Sequence, residues 1–348
     1  MNKALFFDPY LDTLGGGERY MLTLAEYLSN QGWQVDLVWN QDLKGKLITR
    51  FGLNLNRINF VSMENNVFGK YKMMRKYDLS FRISDGSVPL MFSGKNILHF
   101  QVPFKNVNGK SIINNLKLKS VNHVVCNSLF TKKFIDCEFG ISSKVIYPPV
   151  EVKKIKPDKK ENIVLSVGRF SRLLQSKRQD ILITAFKEMV DRGLKNWKLV
   201  FIGGADVGND GYVEELQKMA NSYPIEIIAN QSWKKVVEYY GKSKIFWSAS
   251  GFEIDEENEP EKIEHFGIVI VEAMAAGAVP VVIGKGGAKE IIQDKKTGFL
   301  WETKEELITT TSDLIKSPSL LKNISQEVVE SSRRFSKDNF YQEFEKLL

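Results

Sequence analysis

At 348 residues, with 43% hydrophobic and 26% charged side chains, the chain is too long for one growing core and too apolar to stay disordered, so two domains are expected. Two cysteines, Cys126 and Cys137, exclude a disulfide scaffold and lack metal-ligand spacing; they read as small buried apolar residues in a reducing cytoplasm. The net charge of +7 is uneven: residues 1–150 carry 19 Lys and Arg against 11 Asp and Glu, while the remainder carries 30 against 31.

In chain order, strand-like apolar runs at 4–8, 34–39, 79–84, 96–101, 121–127 and 144–147 fill the first half, with a helix over 17–31 after the first strand. Pro148-Pro149 and the lysine-rich stretch 153–160 read as a linker. A second series follows at 162–167, 198–203, 225–230, 244–248, 280–283 and 298–301. The stretch 335–348 reads as a helix with Phe335, Phe340, Phe344 and Leu347 on its apolar side. Strands alternating with helical stretches predict parallel sheets with crossover helices, hence an α/β fold of two doubly wound, Rossmann-like domains. The domains are expected at 1–152 and 153–332. A deep cleft between facing sheets is the natural active site for such a pair. No signal peptide and no apolar run of membrane-spanning length is evident.

Three segments carry chemistry. Gly15-Gly16-Gly17 follows the first strand and opens a helix; three glycines let backbone approach a phosphate, or serve only as a flexible turn. Arg169 follows the first strand of the second series, and Lys177-Arg178 precede the next helix, offering cations to a leaving group that gains negative charge. Glu264-His265-Phe266-Gly267-Ile268 leads into an apolar helix with Glu272 just over one turn inside it. Carboxylates suit sugar hydroxyls, and helix N–H groups, here those near Gly267 and Ile268, suit phosphate. Together these features point to a nucleotide-sugar. The acidic run 255–259 lacks ordered metal-loop spacing and reads as a solvated loop.

Glu264, seven residues, Glu272, then Ala-Met-Ala-Ala-Gly, Gly286-Gly287 and Glu290 resemble the retaining glycosyltransferases of family 4, which have the GT-B architecture. The Glu-His-Phe-Gly-Ile version is similar to a branch that includes the lipid-linked-oligosaccharide mannosyltransferases. The resemblance implies that Arg169 and Lys177 meet the diphosphate, although a longer spacing than usual leaves Arg178 as an alternative to Lys177. It implies that Glu272 meets the ribose, that Glu264 meets the donor sugar, and that Gly16-Gly17 contribute amides. It places His99 beside the reacting sugar and brings the last helix, 333–348, back onto the first domain. A GDP- or UDP-linked sugar, weakly GDP-mannose, and no metal are expected. The chain departs from close relatives at Ser248, where they often have His.

The basic first half implies an anionic partner, with its charge densest over 44–82 and 105–119. A glycan or lipid-linked glycan acceptor is expected, with peripheral contact to an anionic membrane on the cytoplasmic side. Nucleic acid is not expected, because no binding module accompanies the charge. The alternatives are a GT-B sugar-nucleotide epimerase, which needs no acceptor, or a phosphorylase, and a non-catalytic nucleotide-sugar-binding subunit.

Overall fold

The computed structural model describes residues 1–64, 66–172, 175–205 and 211–348. The chain divides into two compact units, Met1–Pro149 with Lys337–Leu348, and Val150–Ser336. Each is built on one wholly parallel sheet, giving the two Rossmann-like domains of the GT-B fold.

In the first unit the strands are β1 (Lys3–Phe7), β2 (Gln34–Val38), β3 (Ile58–Val61), β4 (Leu79–Ile83), β5 (Lys95–Phe100), β6 (His123–Cys126) and β7 (Lys144–Val145). They lie in the order β3-β2-β1-β4-β5-β6-β7. Ala4, Leu5 and Phe6 are fully buried in succession, which is why β1 reads as an unbroken apolar run: helices cover both faces of a parallel sheet. Strand β3 is absent from the expectations above. It is a four-residue edge strand containing an exposed Asn59, too short and too polar to show a period.

In the second unit the strands are β8 (Glu161–Val167), β9 (Lys198–Gly203), β10 (Ile225–Ala229), β11 (Ser243–Ser248), β12 (Val279–Ile283) and β13 (Phe299–Trp301). Their order is β10-β9-β8-β11-β12-β13. In both sheets the strand order reverses once, between β1 and β4 and between β8 and β11. There, loops leaving the carboxyl ends of neighbouring strands diverge to opposite faces and open a crevice.

The C-terminal helix is Lys337–Glu345. Phe340, Phe344 and Leu347 join the first unit's core, and Phe340 meets Tyr20 edge-on at 4.9 Å between ring centroids. Phe335 does not belong to this helix, contrary to the sequence expectation. It ends a short 3-10 turn, Arg333–Phe335, and packs 5.3 Å from the Phe266 ring inside the second unit. No helix among the described residues is long and apolar enough to cross a membrane.

Candidate functional site

The crevice between β8 and β11 gathers most of the sequence-selected residues. The loop after β8 carries Arg169 and Lys177; the loop after β11 carries Glu264. Lys177 Nζ donates to Glu264 Oε2 at 2.6 Å, with both side chains mostly buried. Burial alone would push the Glu264 carboxyl up, but Lys177, then His265 and Arg169, outweigh it and hold the group below its usual range. Glu264 is therefore an anion at neutral pH. Arg169 is exposed and has no ion pair among the described residues, so its guanidinium stays open to a ligand. Gly168 sits under the stem of Lys177, where a Cβ would come within 2.7 Å of the lysine Cγ.

Arg178 is committed elsewhere. Its guanidinium donates to Asp180 at 3.2 Å, Glu253 at 3.3 Å and the Phe252 carbonyl at 3.1 Å, and lies over the Phe252 ring. Of the two neighbouring cations, Lys177 is the one that faces Glu264.

The Glu264 loop is set by backbone contact. Gly287 donates its N–H to the Glu264 carbonyl at 2.9 Å. A Cβ on Gly287 would stand 2.4 Å from Phe266 Cα, and one on Gly286 would stand 2.4 Å from the Glu264 carbonyl oxygen. Glu256 accepts the Gly286 N–H at 3.0 Å and pairs with Lys289. This part of the acidic run is thus a brace for the glycine turn, which corrects its reading as a purely solvated loop. Gly267 has φ 107°, a left-handed conformation that favours glycine, and opens helix Ile268–Ala275. Ile268 and Val269 stand in the first turn, where N–H groups have no intrahelical acceptor. Glu272 lies deeper and is buried; the Tyr240 hydroxyl donates to its Oε2 at 3.1 Å.

In the first unit, Gly15 precedes helix Gly16–Asn30 and donates its N–H to the Glu18 carboxylate. That amide is consumed as a helix cap, so of the three glycines only Gly16 and Gly17 offer first-turn N–H groups. Acidic groups surround this turn. Asp8, at the end of β1, is pushed up to about 7 by burial and by Glu18, with Asp12 adding to it. Its Oδ2 is buried without a partner.

His99 is enclosed within the first unit, with its Nε2 buried and without a partner. It is fully buried on β5, stacked on Tyr20 at 4.1 Å, with Nδ1 3.2 Å from the Val125 carbonyl. Burial pushes its imidazole down to about 3, so it stays neutral. The residue near the glycine turn is Gln101, whose side-chain amide lies directly over Gly17; a Cβ there would collide with it. Residues 99 and 101 share one side of a strand, and Gln101 lies just past the strand's carboxyl end. Alternation along the strand could have shown this. Tyr240 and Asp8 were also missed. Asp8 had a signal in its position directly after β1, whereas Tyr240 had none, lying 32 residues from the carboxylate it meets.

The family model of glycosyl transferases group 1 matches residues 149–330. The chain is 29% identical over 224 residues to the GDP-Man:Man(3)GlcNAc(2)-PP-Dol alpha-1,2-mannosyltransferase of Dictyostelium discoideum, covering 61% of this chain and 43% of that one. It therefore spans less than half the length of that relative. An uncharacterized glycosyltransferase of Haemophilus influenzae is 25% identical over 367 residues, covering 97% of this chain and 96% of its own. Among solved structures, Anabaena HepE in complex with UDP shares the fold, with TM-score 0.77, 19% identity and coverage of 99% and 98%.

Proposed function

Since the chain belongs to the glycosyl transferases of group 1, we propose that it is a retaining enzyme that moves a hexose from a nucleotide-diphosphate sugar to a glycan or lipid-linked glycan. GDP-mannose is the favoured donor, supported by the likeness to the GDP-Man-dependent Dictyostelium mannosyltransferase and by the Glu264–Ile268 segment. The observation that carries this reading is the Lys177–Glu264 ion pair beside the open Arg169, in the crevice where the second sheet reverses its order.

In the proposed reaction, the bond between the sugar's anomeric carbon and the diphosphate breaks. The acceptor oxygen bonds to that carbon on the face being vacated, and the hydroxyl proton passes to the departing phosphate. Arg169 and Lys177 act on the charge growing on the leaving group, which favours the transition state over the ground state. Glu264 binds donor-sugar hydroxyls and Glu272 the ribose. First-turn amides after Gly267 bind phosphate oxygens. We assign the acceptor to the first unit, whose positive excess also supports peripheral contact with an anionic bilayer on the cytoplasmic face.

A thermal-shift panel of GDP-, UDP- and ADP-sugars tests the donor, since a ligand of the native state raises its melting temperature. GDP-mannose should give the largest shift, and Arg169→Ala should reduce it. Stabilisation by no nucleotide sugar would reject the reading; stabilisation only by a UDP-sugar would reject the mannose assignment.

A further inference from the structure

Exposed aliphatic and aromatic side chains are concentrated on one face of the first unit. Helix Val67–Met74 presents Val67, Phe68 and Tyr71 to solvent, and helix Ile112–Leu118 presents Ile112, Ile113 and Leu116. In each helix the exposed residues fall at i, i+1 and i+4, which is a single apolar stripe. The exposure is large: Phe68 is 75% accessible, Ile112 79% and Ile113 65%. Nothing in a folded, solvated surface repays such a stripe, and patches of this kind mark interaction sites.

Both helices lie on the same side of the sheet. The crossovers from β3 to β4 and from β5 to β6 advance toward the β7 edge, and right-handed connections put their helices on one face. Packing agrees with topology. Met73 and Met74 at the end of the first helix, and Val121 just after the second, share one apolar cluster with Met91 and Phe92. Tyr71 meets Phe92 at 5.2 Å, and Met91 donates its N–H to Ser120 Oγ. Leu90, between these contacts, is exposed as well.

Charge identifies the occupant. Residues 65–77 contain four Lys and Arg and no Asp or Glu; residues 105–135 contain six Lys and again no acid. Lys72, Arg75, Lys76, Lys110 and Lys119 are exposed around the two stripes. Apolar side chains ringed mainly by cations, with Glu64 and Glu138 the nearest acids, match a bilayer with anionic headgroups, where the rings and aliphatic chains enter the acyl boundary and the cations stay at the phosphates. A protein partner would have to supply both an apolar groove and a wholly acidic rim.

We infer that helices Val67–Met74 and Ile112–Leu118 form one membrane-docking face that inserts its apolar stripes into an anionic bilayer. This deepens the membrane contact proposed above, replacing diffuse attraction with insertion at named residues. The test is flotation of the full chain with phosphatidylcholine vesicles, with and without an equimolar share of phosphatidylglycerol, at low and high salt. The parent should float with the anionic vesicles and keep part of its binding at high salt. The combined variant Ile112→Ser, Ile113→Ser, Leu116→Ser should bind about tenfold more weakly and lose the salt-resistant part. It should retain parental sugar transfer to a soluble acceptor, because these residues lie outside the proposed catalytic machinery.

If that variant binds like the parent while Lys110→Glu with Lys119→Glu does not, insertion is wrong and the diffuse electrostatic contact stands. A parent that ignores anionic vesicles overturns both. Self-association abolished by the serine variant would assign the face to a second copy of the chain and overturn insertion.

Discussion

Lys177 Nζ and Glu264 Oε2 stand 2.6 Å apart, linking the cation proposed for the donor's diphosphate to the carboxylate proposed for its sugar. The two loops that carry them leave neighbouring strands, so the ion pair ties together the two walls of one crevice. A lysine held this way spends little side-chain entropy when charge develops on a leaving group.

If Lys177 acts on the transition state, Lys177→Ala should lower turnover by roughly 10²–10³ while donor affinity changes far less. Steady-state kinetics beside equilibrium binding of a non-transferable donor analogue would check this. A fall in binding as large as the fall in turnover would reduce Lys177 to a ground-state contact. Glu264→Ala separates the other half of the assignment: sugar transfer should collapse while free nucleotide still binds.

The second sheet's crevice was readable because its signals are local. Gly267 followed by an apolar run marks a helix start, and a carboxylate on each side of that start is visible within nine residues. What holds the loop was hidden, since Gly286 and Gly287 touch Glu264 and Phe266 through backbone approach across about twenty residues of chain. His99 drew attention by its type, but its chemistry is decided by depth. Where β5 ends determines that residue 99 lies under Tyr20 while Gln101 meets the glycine turn. The core strands were legible for the same reason that short edge strand β3 was not: burial on both faces writes a continuous apolar run.

Asp8 makes stability pH-dependent in a direction unusual for a carboxylate. Its value rises from the ordinary 3.8 to about 7, because burial and then Glu18 disfavour the anion. Below the unfolded value it is protonated in both states. Between the two values the unfolded chain releases the proton and the folded chain does not, so folding loses stability as pH rises, and the loss is complete above about 7. The full effect is on the order of 4 kcal/mol. Asp8→Asn should abolish it, leaving the variant more stable than the parent near pH 8 and equal to it near pH 4 in urea denaturation. A constant difference across that range would place the Asp8 carboxyl outside this titration.

Tyr240→Phe probes the buried Glu272. The hydroxyl donates to Oε2 at 3.1 Å, so its loss should cost about 1 kcal/mol of stability. If Glu272 also binds ribose, losing this hydrogen bond lets its carboxylate shift, and nucleotide affinity should fall severalfold, with kcat preserved at saturating donor. Titration calorimetry with free nucleotide reads the binding, and thermal unfolding reads the stability. Stability lost with unchanged nucleotide affinity would make Glu272 a packing residue.

Gly287→Ala tests whether backbone contact positions the loop that carries Glu264. The added Cβ would lie 2.4 Å from Phe266 Cα and 2.5 Å from its carbonyl oxygen, both main-chain atoms that no rotamer change can move aside. Either the Phe266 segment or the glycine turn must shift. The segment also carries Phe266 against Phe335, a buried aromatic contact that resists displacement. The strain should therefore reach Glu264, whose carbonyl accepts the Gly287 N–H, and loosen its carboxylate from Lys177. Expected outcomes are a stability loss of about 2–4 kcal/mol and a fall in turnover larger than partial unfolding explains. Ser325→Ala, in helix Pro318–Ser332, removes a bond to the Gly277 carbonyl and serves as a destabilised control without loop strain. If both variants lose turnover only in proportion to their unfolded fraction, the glycine turn supports the fold but does not position Glu264.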